Sequence, residues 1–211
     1  MTAVRPVVEV FADVCCPFTH VGLRRFVERR AEAGRLDVVL RVRAWPLELI
    51  NGHPLDATFI GEEVDEVRRQ VSTSLFQGFS VSSFPSSSLP AFAAAAAGYR
   101  AGNDIGEAVS LHLRNLLFEE GTDISDRRVL ERVAETYQLE VGDADRSAVD
   151  FDHAEGLGRG VVGSPHFFTE TGNYFCPAAL DTSRDLSGHL KIAADPAPFD
   201  AMIAEAFAPR A

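Results

Sequence analysis

Phe11-Ala12-Asp13-Val14-Cys15-Cys16-Pro17-Phe18-Thr19-His20-Val21-Gly22 is the stretch whose reading settles the fold. It opens inside an apolar run, Val7 to Val14, with few polar breaks, as in a β-strand buried on both faces. A helix follows, marked by the stripe Leu23, Phe26, Val27 and Ala31 and a stop at Gly34. Cys16 then falls at the N-cap and Pro17 at the first helical position, where a missing N–H costs nothing. Unpaired amides and the helix dipole stabilise an anion at such a place. The spacing therefore predicts a thiol of lowered pKa and a nucleophilic thiolate. The plainer alternative is a small buried apolar residue, a common role for cysteine.

Working outward, Asp37 to Ala44 carries Val38, Val39 and Val42 and reads as a second strand, ended by Trp45-Pro46. Residues 1–50 thus form a βαβ unit. Residues 51–144 change character: helices are expected over 60–76, 90–101, 106–120 and 125–137, with a Ser/Pro-rich loop at 79–90. This segment reads as an all-helical insertion. Residues 145–211 return to a mixed pattern. A helix over 145–159 has the stripe Ala148, Phe151, Ala154 and Leu157. A glycine-punctuated turn at 160–165, a hairpin pairing 166–169 with 173–176, and a helix over 199–207 complete the chain.

Composition narrows the function classes. With 211 residues, 46% hydrophobic, the chain fits one domain or one domain with a large insertion, and is not disordered. A net charge of −11 argues against nucleic acid or an anionic membrane as partner. Three cysteines make no disulfide scaffold. No targeting segment and no run of about 20 apolar residues is present, so a reducing cytoplasm is the expected compartment, where cysteines are more often catalytic. Metal is not expected: Cys15, Cys16, Cys176 and His20 lack zinc-site spacing, and Asp143, Asp145, Asp150 and Asp152 lack the glycine and glutamate of a calcium loop.

The segment from Phe11 to Gly22 resembles the active-site segment of DsbA-like thioredoxin-fold oxidoreductases, the FrnE-like proteins among them, which read Cys-Pro-aromatic-Cys. It is also similar to 2-hydroxychromene-2-carboxylate isomerases and kappa-class glutathione transferases, which read Ser-Pro-aromatic-Ser. A second anchor, Gly160-Val161-Val162-Gly163-Ser164-Pro165-His166-Phe167-Phe168, resembles the family's Gly-Val-x-Gly-x-Pro segment. The resemblance implies an α/β thioredoxin fold with an all-helical insertion between its βαβ and ββα halves. It also implies a cis Pro165 facing the nucleophile, with the Ser164 backbone free to pair with an extended thiol peptide.

One departure matters. Thr19 stands where a dithiol enzyme has its second cysteine, which leaves a monothiol Cys16-Pro17-Phe18-Thr19 site. Its hydroxyl can hydrogen-bond the sulfur but cannot close a disulfide. Resolution is left to an external thiol, to Cys176, or to Cys15, whose adjacency to Cys16 gives poor disulfide geometry. Cys16 and Thr19 are the catalytic candidates. Pro17, Phe18, His20, Trp45, Ser164, Pro165 and His166 are the candidates for holding substrate or thiol, with His20 and His166 also placed to steady the thiolate or move a proton, and Trp45 balanced between core and cleft.

The leading expectation is a DsbA-like thiol–disulfide oxidoreductase. A glutathione- or other low-molecular-weight-thiol-dependent isomerase or transferase is the alternative, and a non-catalytic binding module on the same fold is the third. The resemblance implies no tightly bound cofactor, with glutathione or another small thiol as co-substrate. Expected partners are a small thiol or a cysteine-containing peptide or protein, with a homodimer left open.

Overall fold

The computed structural model describes residues 5–71, 74–176, 180–186 and 188–208. In chain order the elements are β1 (Val7–Ala12), α1 (Pro17–Glu32), β2 (Val39–Ala44), α2 (Leu47–Asn51), α3 (Ala57–Val71), α4 (Leu89–Ala101), α5 (Asn103–Phe118), α6 (Arg127–Thr136) and α7 (Asp143–Gly158). They continue as β3 (His166–Phe168), β4 (Asn173–Phe175), β5 (Leu180–Arg184), β6 (Leu190–Ala194) and α8 (Ala197–Ala206). The main sheet runs β2-β1-β3-β4. β1 is parallel to β2, with Val10 opposite Val42, and antiparallel to β3, with Val10 opposite Phe167. β3 and β4 form the expected hairpin, with His166 opposite Phe175.

Side chains alternate across a strand, and β1 uses both faces. Val8, Val10 and Ala12 join Leu23 and Phe26 of α1 and Phe199, Met202 and Ile203 of α8 in one core cluster. Phe11 points the other way, into a cluster with Trp45 and Val161. A third and larger cluster joins the start of α1 to α3, α4 and α5, and Cys15, Cys16 and Phe18 belong to it.

The helices carry their expected apolar faces, except α7. Phe151 and Leu157 of its predicted stripe are exposed, whereas Val149 and Gly156 are buried. Val149 enters the large core cluster, and ion pairs dock the part of this helix that faces the sheet. Arg43 of β2 meets Asp152 at 2.6 Å and also pairs with Glu155 of α7 and Glu9 of β1. Gly156 permits the approach, since a Cβ there would lie 2.6 Å from the Trp45 ring.

β2 lies at a border of the sheet, and two of its backbone N–H groups are covered by side chains. Val42 donates to Tyr99 Oη at 2.7 Å and Ala44 to Asp152 Oδ2 at 2.9 Å. A second sheet, β5–β6, was not expected from the sequence. It packs on α3, where the Ile192 N–H donates to Gln70 Oε1 at 2.7 Å. Among its described side chains Leu180 and Ile192 are buried.

Candidate functional site

The site forms where β1 turns into α1. Asp13 is fully buried, and its carboxylate accepts the Cys15 N–H at 2.7 Å and the Leu47 N–H at 2.6 Å, which ties the turn to the start of α2. Burial pushes the Asp13 carboxyl up to about 6, against the pull of those two hydrogen bonds. Arg114 of α5, also buried, donates to the Asp13 carbonyl at 3.2 Å and to the Ser110 hydroxyl at 2.7 Å. The turn is therefore held from the helical segment as well as from the sheet.

Cys16 is the N-cap of α1, with extended backbone angles, and Pro17 begins the helix. The Ser164–Pro165 bond opposite is cis. The Cys16 thiol donates to the Ser164 carbonyl at 3.4 Å. Ser164 Oγ accepts the Asp13 N–H at 2.8 Å and lies 2.8 Å from Thr19 Oγ1. Cys16, Thr19, Ser164 and Pro165 are thus brought together, and Pro17 and Phe18 are buried beside them.

The expectation of a lowered thiol pKa is corrected. Cys16 is only 5% exposed, and burial pushes its thiol up to about 11. The nearby charge of Glu63, on α3, acts in the same direction. The hydroxyls of Thr19 and Ser164 pull the other way without prevailing. Desolvation outweighs the helix terminus because α3 and the helical core close over the sulfur. Glu63 is itself pushed up to about 7 by burial.

Three further candidates have partners other than the sulfur. His20 Nε2 lies 2.6 Å from Glu119 Oε1, and its ring packs on Phe76 and Phe118. Burial lowers its pKa, and it anchors the chain near residue 76 rather than serving the sulfur. His166 Nδ1 accepts the Val162 N–H at 3.4 Å, which holds the turn before β3, so Nε2 donates to Asn173 Oδ1 at 3.0 Å, which ties β3 to the start of β4. Trp45 lies in the core against Phe11 and His153, not in a cleft.

Cys15 is fully buried, and burial raises its thiol well above the ordinary value. Cys176 is half-buried, and its N–H donates to the Pro165 carbonyl at 2.7 Å. Among the described residues no group of His, Cys, Asp and Glu could hold a metal ion, and no helix is long and apolar enough to cross a membrane. A cavity of about 280 Å³ between β2, α4, α5 and α7 is lined by Arg114 but not by Cys16.

Sequence reasoning assigned no role to Asp13, Glu63 or Arg114. Asp13 stands two residues before the Cys15 N–H it accepts, the spacing of a turn anchor. Glu63 and Arg114 come from distant helices, and no local signal marks either.

A family model described as a DSBA-like thioredoxin domain matches residues 7–183. No curated protein matches the chain. Among solved structures, a probable DsbA oxidoreductase from Streptomyces coelicolor superposes with a TM-score of 0.62 at 15% identity, covering 98% of this chain and 92% of that one. A 2-hydroxychromene-2-carboxylate isomerase gives 0.59 at 14%, covering 80% and 88%. The cytosolic disulfide reductase DsbM from Pseudomonas aeruginosa with GSH gives 0.56 at 14%, covering 79% and 87%. At these identities the likeness is one of fold.

Proposed function

The chain belongs to the DSBA-like thioredoxin domain family, and on that premise we propose that it catalyses thiol–disulfide exchange with Cys16 as the attacking cysteine. The observation that carries this reading is the Cys16 thiol set 3.4 Å from the Ser164 carbonyl, beside a cis Pro165.

The resting thiol is protonated, and its hydrogen bond to Ser164 stabilises that form. A partner strand pairing with Ser164 competes for the same carbonyl. Losing that acceptor favours the thiolate, so docking of the partner itself activates the sulfur. The Cys16 thiolate then attacks a disulfide R–S–S–R′. The Cys16–S–R bond forms, the S–S bond breaks, and R′–S⁻ leaves and takes up a proton. A second thiol attacks the mixed disulfide and releases Cys16. Thr19 steadies the sulfur by hydrogen bonding, and Pro17, Phe18, Ser164 and Pro165 frame the docking surface. Thr19 cannot supply the second sulfur, so glutathione or another low-molecular-weight thiol is the co-substrate. A reducing compartment such as the cytoplasm holds that thiol in excess.

The buried, protonated Cys16 favours one other reading. As a neutral donor it could hold the thiolate of bound glutathione, as a serine would, in a thiol-dependent isomerase or transferase.

Cys16→Ser separates the two. Reduction of hydroxyethyl disulfide by glutathione should fall to the uncatalysed rate. An unchanged rate in the variant overturns exchange at Cys16. Retained glutathione-dependent turnover of an aromatic substrate in the same variant would favour the second reading.

A further inference from the structure

Cys16 and Cys176 flank a single dipeptide. The Cys16 thiol donates to the carbonyl of Ser164, and the Cys176 N–H donates to the next carbonyl, that of Pro165. The β3–β4 register explains the approach. His166 lies opposite Phe175, so one step outward places Pro165 opposite Cys176.

Side chains alternate along the pair. His166, Phe168 and Phe175 stack together on the face that bears Phe11. Phe167 and Tyr174 take the other face, in the cluster that contains Phe26 of α1. Cys176 follows the end of β4 with φ 45°, outside the alternation, and Cys16 caps the start of α1. Cys176 also packs against the core cluster that contains Cys16 and Phe18.

From this juxtaposition we infer that Cys176 is the resolving cysteine for the mixed disulfide formed on Cys16, an inference that rests on exchange at Cys16. The sequence leaves that role open, because Thr19 occupies the usual place. Cys15 is a poor substitute, being sealed in the core and adjacent to Cys16, where disulfide geometry is strained.

In the step itself the Cys176 thiol gives its proton to solvent, and its thiolate attacks Cys16 Sγ. The Cys16–S–R bond breaks, R–S⁻ leaves and is protonated, and a Cys16–Cys176 disulfide remains. In this step the Cys176 sulfur is oxidised and the sulfur of R is reduced, Cys16 having been oxidised when the mixed disulfide formed. Two equivalents of a low-molecular-weight thiol then return the enzyme to its dithiol form and leave as their own disulfide.

The test treats the reduced full-length protein with one equivalent of glutathione disulfide, quenches with acid, alkylates free thiols and maps the peptides by mass spectrometry. Wild type should end with the peptides of Cys16 and Cys176 joined and no glutathione attached. Cys176→Ser and Cys176→Ala should instead keep glutathione on Cys16 at least ~10-fold longer. A wild-type protein that keeps the Cys16 adduct without an internal disulfide overturns the role of Cys176 and leaves exchange at Cys16 standing. Neither adduct nor internal disulfide overturns both. The wild-type map decides the matter even if a variant fails to fold.

Discussion

The hydroxyls of Thr19 and Ser164 meet at 2.8 Å, which links the first turn of α1 to the turn before β3 right beside the Cys16 sulfur. The same Ser164 oxygen accepts the Asp13 N–H, so one serine gathers the end of β1, the start of α1 and the cis-proline turn. The Thr19 hydroxyl pulls the Cys16 thiol toward ionisation.

Thr19→Ala should therefore slow alkylation of Cys16. A hydrogen bond of this kind is worth about 0.5–1.5 kcal/mol, so the rate at fixed pH should drop about 2–10-fold. The measurement is iodoacetamide labelling of Cys16 between pH 8 and 10. A faster rate in the variant would contradict the assigned role.

Acid should weaken the fold through His20 and Glu119. Burial lowers the His20 pKa, so the folded state prefers the neutral ring, and this contribution is complete above the unfolded value near 6.5 and lost as pH falls. Burial would raise the Glu119 carboxyl, but hydrogen bonds from His20 and the N–H groups of Phe76 and Gln77 hold it down at about 2. Its contribution is present above pH 4.5 and disappears as pH falls toward about 2. Urea unfolding at pH 7, 5 and 4 should show falling midpoints. Glu119→Gln should cost about 1–3 kcal/mol at pH 7 and flatten the acid slope. Equal slopes for the two proteins would count against the pairing.

Gly156→Ala should destabilise the protein, since the added methyl meets the Trp45 ring at 2.6 Å and the Phe11 ring at 3.0 Å. Overpacking of this kind costs about 1–3 kcal/mol. Denaturant titration should show a lower midpoint with an unchanged slope. Gly158→Ala, at a position with open space around it, should not show that loss.

The fold was legible because its two decisive segments are local. Cys16-Pro17 marks a strand passing into a helix, and Ser164-Pro165 marks the turn into the hairpin. Apolar spacing also located the buried faces of α5, α6 and α8. It failed on α7, where counting apolar residues selected Phe151 and Leu157 while docking on the sheet uses the ion pairs of Arg43 and the bare face of Gly156.

The residues around the sulfur could be named from the sequence, but their electrostatics could not. Whether a helix N-terminus lowers a thiol depends on how much of the chain covers it. Here the cover includes α3, with Glu63, which is remote from Cys16 in sequence. The support of Arg114 for Asp13 spans 101 positions and leaves no trace in either local segment. His20 and His166 adjoin the two anchors, yet His20 Nε2 is held by the Glu119 carboxylate and the ring nitrogens of His166 by the Val162 N–H and the Asn173 side chain.

The plugs on β2 carry a consequence for self-association. A bare strand edge is a template on which another chain can polymerise, the starting step of fibril growth. With Tyr99 and Asp152 occupying the amides of Val42 and Ala44, two of the donors that intermolecular zippering along that flank would need are already engaged within the chain.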